Sequence, residues 1–239
     1  MQGCVEAVVL ACTKPVRKHL PVQLPDALTQ DTSERALALL ADYYGAPPGS
    51  GQRSGAAFDT WDSTGTRQRD LDRFTADDLV AITVLSVDLS GTAGRRLLDS
   101  DSERFSGLLA AVGPDRDLVD VEALPPQGPE WSLMGALLEL PGVGPTKASK
   151  LFARKRPRLR PIYDSVVAEV MDTRQQQWEP IRVKLRENNG QLHQRLLSLR
   201  EQAGLPPQVS ALRVLDVIAW MEGKKAGVRP VPEPEEEVP

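Results

Sequence analysis

The sequence predicts an all-α protein, and two observations support this prediction. Apolar residues recur at helical spacing in successive segments, at about 31–45, 74–87, 91–99, 102–112, 130–140, 145–155, 164–172, 178–187, 190–203 and 209–222. Glycine, proline and small polar residues bound these segments, as is typical of helix ends and turns. The β-branched side chains of residues 74–87 leave a strand as an alternative for that segment.

Composition divides the chain into three parts. Residues 1–30 contain three prolines and no sustained periodicity, and we interpret them as a flexible N-terminal arm. Residues 31–223 are expected to form a single helical domain, and residues 224–239 form a Pro/Glu-rich acidic tail that we expect to be disordered. No apolar run approaches the ~18 residues of a membrane span. The short apolar piece near the N-terminus lacks the basic region of a signal peptide. We therefore expect a cytoplasmic protein with no membrane partner, of an oligomeric state that the sequence leaves open.

The first predicted helix, at 31–45, begins after cap-type residues and ends at Gly45. A long irregular segment, residues 46–73, follows it and contains the aromatic residues Phe58 and Trp61. Two interpretations stay open for this pair. The aromatic rings pin the segment to the core, or they stack on a nucleic-acid base that Asp59 and Asp62 read through an exocyclic amine.

The next helix is predicted to start at a capping box made by Thr75 and Asp78. Further along, Trp178 and Trp220 fall within the helical patterns near the C-terminus and are interpreted as core residues. The chain has only two cysteines and two histidines, and Cys4, Cys12 and His19 fit no standard zinc spacing. We therefore predict no protein-bound transition metal.

The charge of the chain is unevenly distributed. The net charge is −4, and the four glutamates of the tail account for all of it. Residues 1–230 are therefore neutral, and because residues 147–160 carry seven basic residues and no acidic one, the rest of residues 1–230 has a charge of −7. Such a basic strip is either a solvated helix face or a local site for an anionic partner, and self-repulsion between the like charges favours the partner.

The strip directly follows the turn LPGVGPTKA, residues 140–148. Gly142 and Gly144 can adopt a positive φ and have no side chain to obstruct a close approach. Pro145 suits the first turn of a helix, where its missing N–H costs nothing. The following N–H groups then lie at the positive end of a helix dipole, and this geometry fits one phosphate. An ordinary helix connection is the alternative interpretation.

This turn resembles the helix-hairpin-helix motif, here spanning residues 130–155. The chain is also similar to the helix-hairpin-helix DNA glycosylases, the endonuclease-III-like superfamily, at two further places. The stretch RPIYDSVVAEV places Asp164 eighteen residues after Thr146, as in that family, and FTADDLVAITVLSVDLSG is similar to its Leu-Ser-x-Gln segment. Along most of its length, the chain also resembles a family of unknown function from high-GC actinobacteria.

The glycosylase resemblance implies a glycosylase-like all-α fold that binds DNA and receives a flipped nucleotide. It implies Asp164 as the catalytic carboxylate, which stabilises positive charge at C1′ or orients the attacking water. It implies a set of DNA contacts at the hairpin: Gly142, Val143, Gly144, Thr146, Lys147, Lys150 and Arg154. It implies no cofactor, unless the hairpin holds a monovalent cation. An Asp before SVVAEV is also a good helix N-cap, and this simpler role stays open.

The sequence departs from the family pattern at three positions, one of which is Val166, where a histidine is common. Lyase-type members carry a lysine where this chain has Thr146, so the resemblance implies at most a monofunctional DNA N-glycosylase. Asp88 replaces the usual glutamine and would repel DNA phosphates. Thr146, Asp88 and the acidic body favour an alternative, a non-catalytic DNA-binding module of the same fold. A third alternative is a protein–protein adaptor whose basic strip docks an acidic partner.

Overall fold

The protein, seen in a computed structural model, is described at residues 22–46, 53–173 and 177–229, and these residues contain helices and turns but no strand. The α-helices of the described residues are α1 (Asp26–Thr29), α2 (Glu34–Tyr44), α3 (Ala76–Thr83), α4 (Gly91–Arg95), α5 (Ser102–Val112), α6 (Pro129–Leu138), α7 (Pro145–Lys155), α8 (Ser165–Val170), α9 (Trp178–Arg186), α10 (Gln191–Gln202) and α11 (Ala211–Lys225). Short 3₁₀ helices lie at Ser54–Ala57, Leu118–Asp120 and Glu187–Gly190, and a π-helical turn at Arg96–Ser100 follows α4. The all-α prediction is confirmed for this part of the chain. None of the described helices is long and apolar enough to cross a membrane.

The segment at 74–87 is a helix, and the strand alternative is wrong. The predicted capping box is present, because the Thr75 backbone N–H donates to Asp78 at 2.9 Å and the Asp78 N–H bonds back to the Thr75 side chain. Helix α3 ends at Thr83, earlier than predicted. The chain then turns through Ser86, which has a φ of +59°, an uncommon value for a residue with a side chain.

The helices pack in two groups. In the first, α3 and α6 contact α7, and α5 contacts α6. In the second, α1, α2, α8 and α10 contact α11. Helix α11 can occupy this central position because every residue from Ala211 to Ala219 is buried, as expected of a helix that is apolar nearly all round. Gly223 permits a close approach of α8, since a Cβ atom there would lie 2.5 Å from Val166 Cγ1.

The predicted arm boundary at residue 30 is wrong for residues 22–30. Ala27 and Leu28 are buried, and the backbone N–H groups of Asp26 and Ala27 donate to the Glu222 carboxylate at 3.0 and 3.1 Å. Helix α1 has only four residues, so it is too short to produce a helical periodicity in the sequence. At the other end, α11 continues to Lys225, so the predicted start of the tail at 224 falls in its last turn. Residues 1–21 and 230–239 lie outside the described part.

Candidate functional site

A cleft of about 580 Å³ opens where the two helix groups meet. The first group contributes the start of α7 and the loop that follows α3. The second contributes one face of α11, the start of α8 and Tyr43 of α2. Residues distant in sequence therefore share one concave surface of the size that small ligands occupy.

The predicted turn between α6 and α7 has the expected shape at most of its positions. Gly142 has a φ of +68°, so this position uses the conformational freedom of glycine. Gly144 caps α7 with an extended backbone that any residue adopts, and Pro145 is the first helical residue. Val143 is buried, so its side chain is not available for the predicted DNA contact.

The first half of α7 faces the cleft. Thr146, Lys147 and Lys150 all line it. The Lys147 ammonium donates to the Gly142 carbonyl at 2.8 Å, and the Lys150 ammonium donates to the Leu85 carbonyl at 3.0 Å. This hydrogen bond from Lys150 connects α7 to the loop after α3. A monovalent cation at the turn stays a prediction, and the Lys147 ammonium already contacts one of the turn's carbonyl oxygens.

The second half of α7 faces the protein interior, and the predicted DNA contact by Arg154 is wrong. Its guanidinium is fully buried, and it donates to Asp78 Oδ1 at 3.0 Å and to the Phe58 carbonyl at 2.7 Å. The Lys155 ammonium donates to Asp78 Oδ2 at 2.8 Å. The charge pattern predicted an external anionic partner. For Arg154 and Lys155, the anion is instead Asp78 of the same chain.

The rest of the basic strip is likewise bound within the chain. Arg156 is buried and donates to the carbonyls of Gly113 and Leu109 at 2.7 and 2.9 Å. Arg158 forms an ion pair with Asp117. Burial lowers the pKa of Arg160 to about 9, and its guanidinium lies 4.3 Å from the centre of the Trp178 ring system. The predicted compact basic strip is therefore divided among several internal contacts.

Asp164 both caps a helix and lines the cleft. It is the N-cap of α8, and its Oδ1 accepts the Val166 backbone N–H at 2.9 Å. The half-buried side chain also lines the cleft. The cap prediction is confirmed, and the cap holds this carboxylate at a fixed place in the cleft.

The loop after α3 forms the opposite wall of the cleft. Residues 84–88 line it, and they include the exposed Asp88. The Ser90 hydroxyl donates to the Pro141 carbonyl at 3.2 Å, which fastens this loop to the hairpin turn. The segments that carry the glycosylase resemblance thus lie side by side, although 76 residues separate Asp88 from Asp164.

Helix α11 contributes three charged residues to the cleft that the sequence analysis missed, Arg213, Asp216 and Lys224. Arg213 donates to Tyr43 Oη at 2.7 Å, to Asp59 Oδ2 at 3.1 Å and to Asp216. Burial raises the pKa of Asp216 to about 6, against the opposing effect of the Arg213 guanidinium and with a smaller raising contribution from Asp164. An Arg and an Asp three residues apart in the otherwise apolar stretch Ala211–Ala219 were the available signal, because charged residues are seldom buried without a partner or a function.

The aromatic wall of the cleft also differs from the sequence prediction. Trp220, interpreted as a core residue, is half-buried and lines the cleft, with its ring system 6.0 Å from the Tyr43 ring. Phe58 is buried in the core, and the Trp61 indole N–H donates to Asp77 at 3.1 Å. This pair pins the irregular segment to the core, as the first of the two interpretations stated.

The two carboxylates of that segment are also engaged away from the cleft. Asp59 is buried against Arg213, and Asp62 accepts the backbone N–H groups of Thr66 and Arg67 at 3.0 and 3.2 Å. The prediction that they read an exocyclic amine in a shared pocket does not fit these contacts. Among the described residues, no group of three His, Cys, Asp or Glu side chains could hold a metal ion; Cys4, Cys12 and His19 lie outside that range.

The fold and the cleft define an all-α protein with a charged cleft between two helix groups. Residues 36–223 match the model of a family of unknown function (DUF6308), and the chain belongs to this family. The match includes every helix from α3 to α10 and most of α2 and α11. No curated protein and no solved structure matches the chain. The resemblance to helix-hairpin-helix DNA glycosylases stays a prediction.

Proposed function

We propose that this protein binds DNA through the hairpin between α6 and α7 and receives an extruded nucleotide in the cleft. There it acts as a monofunctional N-glycosylase on a damaged or modified base. One observation carries the proposal. The start of α7, residues 85–88 and Asp164 belong to the segments that carry the family resemblance separately in the sequence, and they line a single cleft.

The hairpin supplies the phosphate contact in this proposal. Gly144 caps α7 without a side-chain hydrogen bond, and Pro145 has no N–H of its own. The first turn of such a helix presents backbone N–H groups at the positive end of the dipole. An ammonium has three donors, and Lys147 uses one of them on the Gly142 carbonyl. A phosphate beside the turn would receive another.

Asp164 supplies the negative charge at the reacting sugar. A glycosidic bond breaks through an oxocarbenium-like state, and a fixed carboxylate next to C1′ stabilises the charge that develops there. The bond from the Val166 N–H holds the carboxylate in position before the substrate arrives. Water then adds to C1′ and completes hydrolysis. Thr146 stands at the lyase lysine position and has no amine, so the proposal contains no Schiff base.

The binding test measures the fluorescence anisotropy of three labelled duplexes: undamaged, with a tetrahydrofuran abasic analogue, and with a mismatched base. A preference for the abasic duplex that weakens with salt is expected, because a flipping pocket binds an already unpaired position at lower cost. Equal affinity for all three duplexes would reduce the claim to a hairpin that holds phosphates. Absence of binding at low salt would contradict DNA as a partner and favour the adaptor.

The catalytic test uses Asp164→Asn on a panel of damaged duplexes. Asparagine also caps helices well, so α8 should persist while the negative charge is lost. We expect unchanged or tighter binding and a loss of base release. Asp164→Ser, a second capping residue without a carboxylate, is the matched control and should behave in the same way. Release that persists in both variants would exclude Asp164 as the catalyst.

A non-catalytic DNA-binding module is the second candidate, and Asp88 favours it. This exposed carboxylate lies in the cleft wall, where it would repel the phosphates flanking an extruded nucleotide. The module predicts the same preference for the abasic duplex but no base release from any member of the panel. Asp88→Gln would strengthen DNA binding under either candidate.

A further inference from the structure

The cleft contains a second carboxyl group, Asp216 of α11, which differs from Asp164 in its environment. Asp164 is half-buried at a helix start and accepts a backbone N–H. Asp216 is 8% exposed and receives the Arg213 guanidinium on Oδ2. Two carboxyl groups in one site with such different surroundings are suited to different protonation states.

Charged and titratable groups reach Asp216 from every element packed around it. The groups are Arg213 on its own helix, Tyr43 and Tyr44 of α2, Lys150 of α7 and Asp164 at the N-cap of α8. Asp59 and Arg160 lie across a small cavity that Asp216 also lines. Burial is the largest influence and favours the protonated form of Asp216. Arg213 and Lys150 oppose it, whereas the Asp164 carboxylate acts in the same direction as burial.

We propose that Asp216 is the general acid of the cleft and protonates the departing base, while Asp164 lies beside the sugar. This inference rests on the proposed function. As the bond from C1′ to the base nitrogen breaks, its electron pair moves to the base and the Asp216 proton is transferred to the base. A water molecule adds to C1′ and releases a proton to the Asp164 carboxylate. That proton passes to solvent, and Asp216 takes up a new proton from solvent.

The test compares two leaving bases under single-turnover conditions. Hypoxanthine is neutral and benefits from a proton as it leaves, whereas 7-methylguanine already carries a positive charge and needs none. We expect Asp216→Asn to slow hypoxanthine release by about 100-fold or more and 7-methylguanine release by less than about fivefold. The asparagine retains an oxygen that accepts from Arg213, so the contact that orients α11 is preserved.

The pH profile gives a readout that a purely structural role would not change. Hypoxanthine release by the wild type should fall about tenfold per pH unit above about pH 6, as the acid loses its proton. Asp216→Asn should lack this limb. Asp216→Glu retains a titrating carboxyl group and should keep it, and this variant also serves if the asparagine variant fails to fold. Asp59→Asn is the matched control, because it removes a carboxylate from the same Arg213 outside the cleft.

The outcomes separate this inference from the proposed function. Equal losses for the two bases in Asp216→Asn, or a pH limb that persists in it, would overturn the general-acid role alone. Asp164→Asn must abolish release of both bases if the proposed function holds. A wild type that prefers the abasic duplex but releases neither base would overturn both catalytic roles and leave DNA binding standing.

Discussion

The two halves of α7 carry similar positive charge and use it differently. Lys147, in the first half, bonds to a neutral carbonyl of its own turn and keeps its charge beside the hairpin. Arg154 and Lys155, in the second half, share the carboxylate of Asp78 in the protein interior. A run of basic residues therefore predicts an anionic ligand only for those members that have no carboxylate partner within the fold. Here, Asp78 pairs with both cations of the second half, whereas the proposed phosphate contact lies in the first half.

Replacing Asp78 should change the free energy of unfolding more than any other substitution considered below. Asp78→Ala would leave two buried cations without their carboxylate and would remove the capping box of α3. We expect the free energy of unfolding to fall by about 3–5 kcal/mol, the usual result of breaking a buried ion pair on one side. Urea denaturation measures it. The exposed Asp88 provides the control, because Asp88→Ala should change stability by no more than about 0.5 kcal/mol. A small effect at Asp78 would show that the second half of α7 does not stabilise the fold through this pair.

The cleft should show the opposite behaviour, in which a carboxyl group costs stability. The pKa of Asp216 is about 6 in the folded protein against an ordinary value of 3.8. The folded state therefore binds this proton more tightly than the unfolded chain does. The free energy of unfolding should fall as pH rises through this window, and the fall ends above about pH 6.

Asp216→Asn removes that dependence. Between about pH 4.5 and pH 7.5, the wild type should lose about 2 kcal/mol that the variant retains. Urea denaturation at the two pH values measures the difference, with the exposed Asp42→Asn as a variant that should keep the wild-type dependence. Parallel pH dependence in wild type and Asp216→Asn would show that Asp216 titrates normally.

Local signals were sufficient to predict α7 and its turn. Helix α7 spans the predicted residues because Pro145 opens it and apolar side chains recur at helical spacing up to Lys155. Gly142 has the positive φ that its turn requires. These features depend on neighbours a few residues away, so a single sequence contains them.

The partners of the charged residues could not be predicted in the same way. Asp78 was identified as a cap of α3, but its ion pair joins it to Arg154, 76 residues away. Arg213 and Asp59 are 154 residues apart. Pairing between residues so far apart in sequence depends on how the helices pack, and hydrophobic periodicity carries no information about that packing. The same limit explains why Asp164 was found from a local resemblance while Asp216 was missed.

A smaller effect tests the geometry of the hairpin itself. Gly142→Ala places a Cβ atom on a backbone with a φ of +68°, although no heavy atom lies within 4 Å of it. Backbone strain alone should therefore lower the free energy of unfolding by about 1–2 kcal/mol. Gly135→Ala, inside α6 and equally unobstructed, should instead stabilise the protein by up to about 1 kcal/mol. Two variants of equal stability would show that the turn tolerates another conformation.

The last prediction concerns a smaller effect, the salt dependence of DNA binding, and it tests whether the first half of α7 contacts DNA. Lys147→Gln removes one charge beside the hairpin and should lower the slope of log affinity against log salt by about 0.9, as one phosphate contact is lost. Anisotropy titrations over a salt series measure this slope. Lys184→Gln on α9 removes an equal charge from a residue that pairs with Glu187 outside the cleft, and it should leave the slope unchanged. Equal slopes in the wild type and both variants would mean that the hairpin lysine contacts no phosphate. The two halves of α7 would then differ in burial but not in function, and the cleft would need another route to its ligand.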